Sequence, residues 1–151
     1  MYKVFIIIFF VILDILSKLW IFNNINLNSF LKITFFFDIT HIHNFGISFG
    51  FFSELQNPWL FIAIGIIITF ILIIMYIQSN KNIEKIGFTF IIAGALGNIL
   101  DRSYNGYVID FLYFHFKNFY WPAFNFADIY ITLGVTLIII QMVKDLKNRS
   151  R

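Results

Sequence analysis

The stretch Ile92-Ala93-Gly94-Ala95-Leu96-Gly97-Asn98-Ile99-Leu100-Asp101-Arg102, continued by Val108-Ile109-Asp110-Phe111, decides how the rest of the chain is organised. It begins as an apolar helix thinned by Ala93, Gly94, Ala95 and Gly97, and small residues let neighbouring helices approach closely in lipid. It then delivers Asn98, Asp101, Arg102 and Asp110 near the edge of the hydrocarbon layer. Ionisable groups at such a depth are costly, which makes them functional candidates.

The composition agrees with a membrane setting. Of 151 residues, 60% are hydrophobic and only 13% charged, against about 25% charged in a soluble domain; mean hydropathy is +0.82. The net charge of +3 is spread along the chain and forms no cluster of the kind a nucleic-acid face requires, so no nucleic-acid partner is expected. There is no cysteine, which excludes disulfides, thiol catalysis and thiolate metal sites, and also lipidation of this chain on cysteine.

Hydropathy predicts one polytopic domain, 1–151, with transmembrane helices at about 4–22, 59–77, 86–102 and 126–143. The first carries Asp14 and Lys18 and is followed by Asn23-Asn24-Ile25-Asn26 rather than a small-residue cleavage pattern, so it is expected to remain uncleaved. Pro58 opens the second. With the N-terminus cytoplasmic, Lys3, Lys81, Lys85, Lys144, Lys147, Arg149 and Arg151 lie inside, against Lys18, Lys32, Arg102 and Lys117 toward the other face. That bias puts both termini in the cytoplasm. Short strands are expected within 30–52, and 103–125 is expected to be an extracytoplasmic loop with aromatics at the membrane–water interface. The expected fold is an all-α, four-helix membrane bundle with a small extracytoplasmic β-sheet. No internal repeat supports an inverted-repeat transporter.

Asp14 and Lys18 stand one helical turn apart, acid first, the favourable order for an ion pair. Mutual neutralisation explains their tolerance in lipid. It does not explain their presence, since a central charge costs about 2.5–3.5 kcal/mol on insertion scales. Asn98, Asp101 and Arg102 form a polar last turn of the third helix, suited to bracing; Arg102 complements the helix C-terminus and can clamp a carboxylate. Asn125 and Asp128 have the spacing of a capping box opening the fourth helix, and that alone accounts for both. Asp110, however, sits in the apolar frame Val108-Ile109-Asp110-Phe111, where nothing local needs a charge.

Two carboxylates about 4 Å apart at an effective dielectric of 20 repel by about 4 kcal/mol. That is roughly three pKa units, enough for Asp110 and Asp128 to share one proton near neutral pH. The ionised member can take a proton from water while the protonated one donates to a carbonyl. Peptide-bond cleavage at a membrane edge is the natural use of such a pair. Gly46-Ile47-Ser48-Phe49-Gly50 matches G-x-S-x-G, but lacks the context of a nucleophile elbow and is expected to be a turn. His41 and His43 share one side of a strand; with only the distant His115 as a third ligand, they are expected to be surface imidazoles rather than a metal site.

Together these motifs resemble the lipoprotein signal peptidases (signal peptidase II) of bacteria. The blocks are Asp14…Ser17-Lys18, Asn44-x-Gly46-x-x-Phe49, Gly94-Ala95-Leu96-Gly97-Asn98-x-x-Asp101-Arg102, Val108-Ile109-Asp110-Phe111 and Phe124-Asn125-x-Ala127-Asp128. The resemblance implies an inner-membrane aspartic endopeptidase that cleaves a prolipoprotein on the amino side of a diacylglyceryl-modified cysteine. It implies Asp110 and Asp128 as the catalytic dyad. Asp14, Lys18, Asn44, Gly46, Asn98, Asp101, Arg102 and Asn125 would bind substrate or brace the site, with no metal or other cofactor. Membrane lipid and a globomycin-type inhibitor are the other expected partners. Ala93, Ile15 and Ser48 depart from the common glycine, glutamine and alanine of the family. The competing reading is a small proton- or ion-conducting protein relaying through Asp14, Asp101, Asp110 and Asp128; a relay should distribute carboxylates across the membrane, whereas these gather toward one face.

Overall fold

The computed structural model describes residues 2–46 and 57–149, so the G-x-S-x-G segment lies outside the described residues from Ile47 onward. The elements in chain order are α1 (Tyr2–Asn24), β1 (Phe30–Lys32), β2 (Phe37–Asn44), α2 (Pro58–Gln78), α3 (Asn82–Asn105), β3 (Val108–Phe116), β4 (Phe119–Tyr120) and α4 (Phe126–Arg149). Among the described residues four helices are long and apolar enough to cross a membrane. Their outward faces carry exposed Phe5, Phe9, Ile66, Ile67, Phe70, Ile77, Ile139 and Val143. An apolar surface of that extent needs lipid, not water, around it.

The helix ends follow from local chemistry. The Asn57 side chain accepts from Leu60 N at 3.2 Å, with Pro58 supplying the pre-set first turn of α2. α3 stops at Gly106, whose φ of 81° is left-handed and whose N–H closes onto Arg102 O at 2.9 Å. α3 packs against the other three helices, and its small residues allow this. A Cβ at Gly94 would strike the Ala127 carbonyl oxygen and lie 2.8 Å from Ile131 Cγ1, and one at Gly97 would lie 2.7 Å from Asp14 Oδ2. Gly94 therefore admits the start of α4, and Gly97 admits a carboxylate of α1.

The four strands form one antiparallel sheet in the order β1-β2-β3-β4. The chain is thus helical with a substantial sheet, and "all-α" describes only its membrane part. β3 and β4 lie within 103–125, which the sequence suggested was a loop; Val108–Phe116 is instead the strand that joins β2 to β4. Its apolar, aromatic run lacks the alternation that marks a strand. The register places Ile39 opposite Leu112 but Ile42 opposite Asp110, so β2 carries one extra residue there. A one-residue offset exchanges the two faces of a strand. Beyond it, Ile42 and Asn44 share the face of Asp110.

A last pairing brings α4 into place. Phe124 bridges to Leu112, with Leu112 N donating to Phe124 O at 2.8 Å and Phe124 N donating to Leu112 O at 3.1 Å. The residue before the α4 cap is therefore fixed beside a residue two positions past Asp110. Phe111 and Phe126 meet edge to face, 5.2 Å between centroids. Ile21, Ile109 and Phe111 form the buried apolar cluster beneath.

Candidate active site

α1, α3, β3 and the residue before α4 contribute buried polar groups to one end of the bundle: Asp14, Lys18, Asp101, Arg102, Asp110 and Asn125. Buried polar atoms need partners, and nearly all of these have one. Lys18 Nζ lies 2.8 Å from Asp14 Oδ2, an ion pair without the alignment of a hydrogen bond, and 3.5 Å from Asp101 Oδ2. It donates to Asn98 Oδ1 at 2.9 Å, and Asn98 Nδ2 donates to Asp128 Oδ1 at 3.1 Å. Asp14 Oδ1 accepts from Ala127 N at 2.9 Å, tying α1 to the first turn of α4.

Asn125 and Asp128 close a reciprocal capping box. Asp128 N donates to Asn125 Oδ1 at 3.1 Å, and Asn125 N donates to Asp128 Oδ2 at 3.2 Å. Capping leaves the other end of the Asn125 carboxamide free, and Nδ2 donates to Asp110 Oδ1 at 2.6 Å. Asn44 Nδ2 donates to Asp110 Oδ2 at 2.9 Å, while Asn44 Oδ1 accepts from Gly46 N at 2.9 Å. Arg102 donates to Gly46 O and places its guanidinium 5.6 Å from the centre of the Phe61 ring. Arg102 Nε is buried without a hydrogen-bond partner among the described residues. Asp101 accepts from Ile109 N at 2.8 Å and from Asn105 Nδ2 at 2.7 Å, which fixes the strand one residue before Asp110.

All ten residues singled out in the sequence lie on one continuous path of contacts, from Asp14 through Lys18, Asn98, Asp128, Asn125, Asp110, Asn44 and Gly46 to Arg102, with Asp101 joined at Lys18. Each of the four carboxylate oxygens of Asp110 and Asp128 receives one donor. Burial pushes the Asp110 carboxyl up to about 7, and the neighbouring Asp128 pushes the same way. The amides of Asn44 and Asn125 and the charge of Lys18 offset only part of this. Asp110 and Asp128 line a cavity of about 250 Å³ with Asn44, Asn98, Arg102 and Asn125. Its apolar wall includes Phe61, Ile64, Gly65 and Ile68 of α2. That wall has no polar signature by which the sequence could have announced it.

The histidines correct an expectation. His41 is 4% exposed, not a surface imidazole. Its Nδ1 bonds Ile25 O at 2.8 Å, so Nδ1 carries the proton and Nε2 faces His43 Nε2 at 3.1 Å. His43 stacks on Tyr107 at 3.6 Å, and burial, then His41, hold its imidazole below the usual range. Among the described residues no three His, Cys, Asp or Glu side chains are grouped to hold a metal ion.

The comparisons with known proteins point one way. Residues 6–144 match the family model described as signal peptidase (SPase) II. The lipoprotein signal peptidase of Alteromonas mediterranea is 38% identical over 144 residues, 92% of this chain and 79% of that protein. Its counterpart in Buchnera aphidicola is 39% identical over 139 residues, 88% of each. A bacterial membrane enzyme solved by the in meso method at 2.3 Å superposes with a TM-score of 0.89 at 32% identity, covering 97% of this chain and 90% of that one. A second, solved at 1.9 Å, superposes with a TM-score of 0.84 at 32% identity, covering 95% and 94%. With four membrane-crossing helices, a small antiparallel sheet and a family match over nearly its whole length, this chain belongs to the signal peptidase II family, a family of membrane proteases.

Proposed function

We propose that this chain is an aspartic endopeptidase of the bacterial cytoplasmic membrane that removes the signal peptide from diacylglyceryl-modified prolipoproteins, cutting on the amino side of the lipidated cysteine. The observation that carries this reading is the pairing of Asp110 and Asp128. They are two carboxylates on different elements, both accepting from one buried asparagine, Asp110 from its side chain and Asp128 from its backbone N–H, and lining one cavity. The pair shares a proton near neutral pH and titrates as a unit. Its ionised member takes a proton from water, which attacks the scissile carbonyl; its protonated member donates to the carbonyl oxygen, and the proton gained from water is delivered to the leaving amine.

Asn44, Asn98 and Asn125 hold the carboxylates, Asp14, Lys18 and Asp101 hold the elements that carry them, and Arg102 with Gly46 completes the rim. The basic residues at the opposite end of the bundle support a reading with both termini in the cytoplasm and the sheet and the dyad toward the outer face. The relay alternative is disfavoured by spacing. Glu84 and Asp145, at the other end, are about 25 Å of helix away from Asp101 and Asp128, with no carboxylate between.

The test is cleavage of a lipid-modified precursor in detergent by purified Asp110→Asn and Asp128→Asn. Both are expected to lose at least about a thousandfold in rate. A near wild-type rate in either sinks the dyad. Globomycin is expected to inhibit the wild type.

A further inference from the structure

Lys18 is fully buried, yet it does not line the dyad cavity; it faces a separate groove between α1 and α3 with Leu19, Phe22, Asp101 and Asn105. It is built in with care. Gly97 leaves the space that Asp14 Oδ2 occupies beside it, and the same Asp14 holds the Ala127 amide next to Asp128. A lysine ammonium has donors and no acceptor. Its contact with Asn98 therefore obliges the Asn98 oxygen to face Lys18 and the amide nitrogen to face Asp128. Without it the carboxamide is free to turn over and present its oxygen to the carboxylate. The other two asparagines show the same logic with backbone donors: Asn44 is pinned by Gly46 N, and Asn125 by Asp128 N. Asn98 is pinned instead by a charged side chain.

We propose that Lys18 is a positioning residue for the dyad, acting through the Asn98 carboxamide to keep a hydrogen-bond donor on Asp128. This rests on the reading of Asp110 and Asp128 as the reacting pair. Among the described residues, Asp14, Asp101, Asp110 and Asp128 interact with Lys18, and Arg102 on α3, His43 on β2 and Tyr130 on α4 interact with those carboxylates.

The experiment is a double-mutant cycle on cleavage of a lipid-modified precursor in detergent, with kcat, KM and a pH–rate profile for Lys18→Met, Asn98→Leu and the pair. Lys18→Met is expected to lower kcat about tenfold, as loss of one hydrogen bond to a charged group would, with KM nearly unchanged. The acidic limb of its profile is expected to move up by about one pH unit. In the Asn98→Leu background the same change is expected to cost less than about twofold. Equal losses in both backgrounds, or a lower kcat with an unmoved acidic limb, overturn the proposal and leave Lys18 a structural residue. Asp14→Asn/Lys18→Met, which removes the closer ion pair whole and leaves Asp101 its donors from Ile109 N and Asn105 Nδ2, replaces Lys18→Met in the cycle if the single variant does not fold, and the same outcomes decide. If the wild type does not cleave, or Asp110→Asn cleaves normally, the peptidase reading falls and takes this one with it. An additive cycle on an enzyme that needs both aspartates refutes this one alone.

Discussion

Asn125 caps a helix and holds a carboxylate with a single side chain, and two substitutions separate those tasks. Asn125→Ala removes the acceptor for Asp128 N and the donor to Asp110 Oδ1. Loss of the cap costs about 1 kcal/mol, and loss of a donor to a buried carboxylate about 1.5–3 kcal/mol, so destabilisation of about 3 kcal/mol is expected. Asn125→Ser keeps a hydroxyl acceptor at the cap and recovers about 1 kcal/mol of that, but it cannot restore the bond to Asp110. The Asn125 amide lowers an Asp110 pKa that burial and Asp128 have raised to about 7. Without that amide the carboxyl rises further. The alkaline limb of the pH–rate profile, where the shared proton is lost, then moves up by about one unit. The assays are unfolding in detergent and precursor cleavage across pH. Stability is expected to rank wild type, Ser, Ala, with the same alkaline shift in both variants. A wild-type limb in Asn125→Ser, or a limb displaced downward, refutes the argument that this side chain sets the dyad's proton.

Gly94→Ala puts a methyl against the Ala127 carbonyl oxygen and Ile131. It is expected to cost about 2 kcal/mol by overpacking and to reduce cleavage by displacing the first turn of α4, both measurable on the purified variant. Asp101→Ala leaves the buried Ile109 N–H without its 2.8 Å acceptor, an expected loss of about 1–3 kcal/mol. Asp101→Asn is expected to retain part of it, because a carboxamide oxygen can still accept. Asp110 binds its proton more tightly folded than unfolded. Stability from this group is therefore full below about pH 4 and declines by roughly 1.4 kcal/mol per unit until about pH 7. The difference in unfolding free energy between wild type and Asp110→Asn, followed from pH 4 to 8, is expected to show that slope, and a flat difference would contradict it.

Hydropathy placed the helices because membrane spans are long, apolar and almost free of charge, as α2 is from Pro58 to Gln78. The polar residues were legible for the opposite reason: in so apolar a chain each charge demands an explanation, and Asp14, Lys18, Asp101, Arg102, Asp110 and Asp128 proved to share one network. What escaped was set by partners distant in sequence. β3 has no alternation because Val108, Ile109, Asp110 and Phe111 are all buried. The extra residue in β2 is a matter of register, which nothing in Phe37–Asn44 marks. His41 looked exposed because the carbonyl that receives it, Ile25 O, lies just past the end of α1, distant in sequence. The α2 wall of the cavity is chemically identical to its lipid-facing surface.

Asp110 stands on a strand that is made before α4, and Asp128 on the first turn of α4 itself. Translation therefore delivers the two carboxylates one after the other. Asp128 joins Asp110 only when the chain has doubled back through β4 and seated Phe124 on Leu112. On the proposed reading, a chain that still lacks α4 holds half of the reacting pair and does not hydrolyse. Under that reading, competence arrives only with assembly of the last helix, and the completed fold is its own licence to cut.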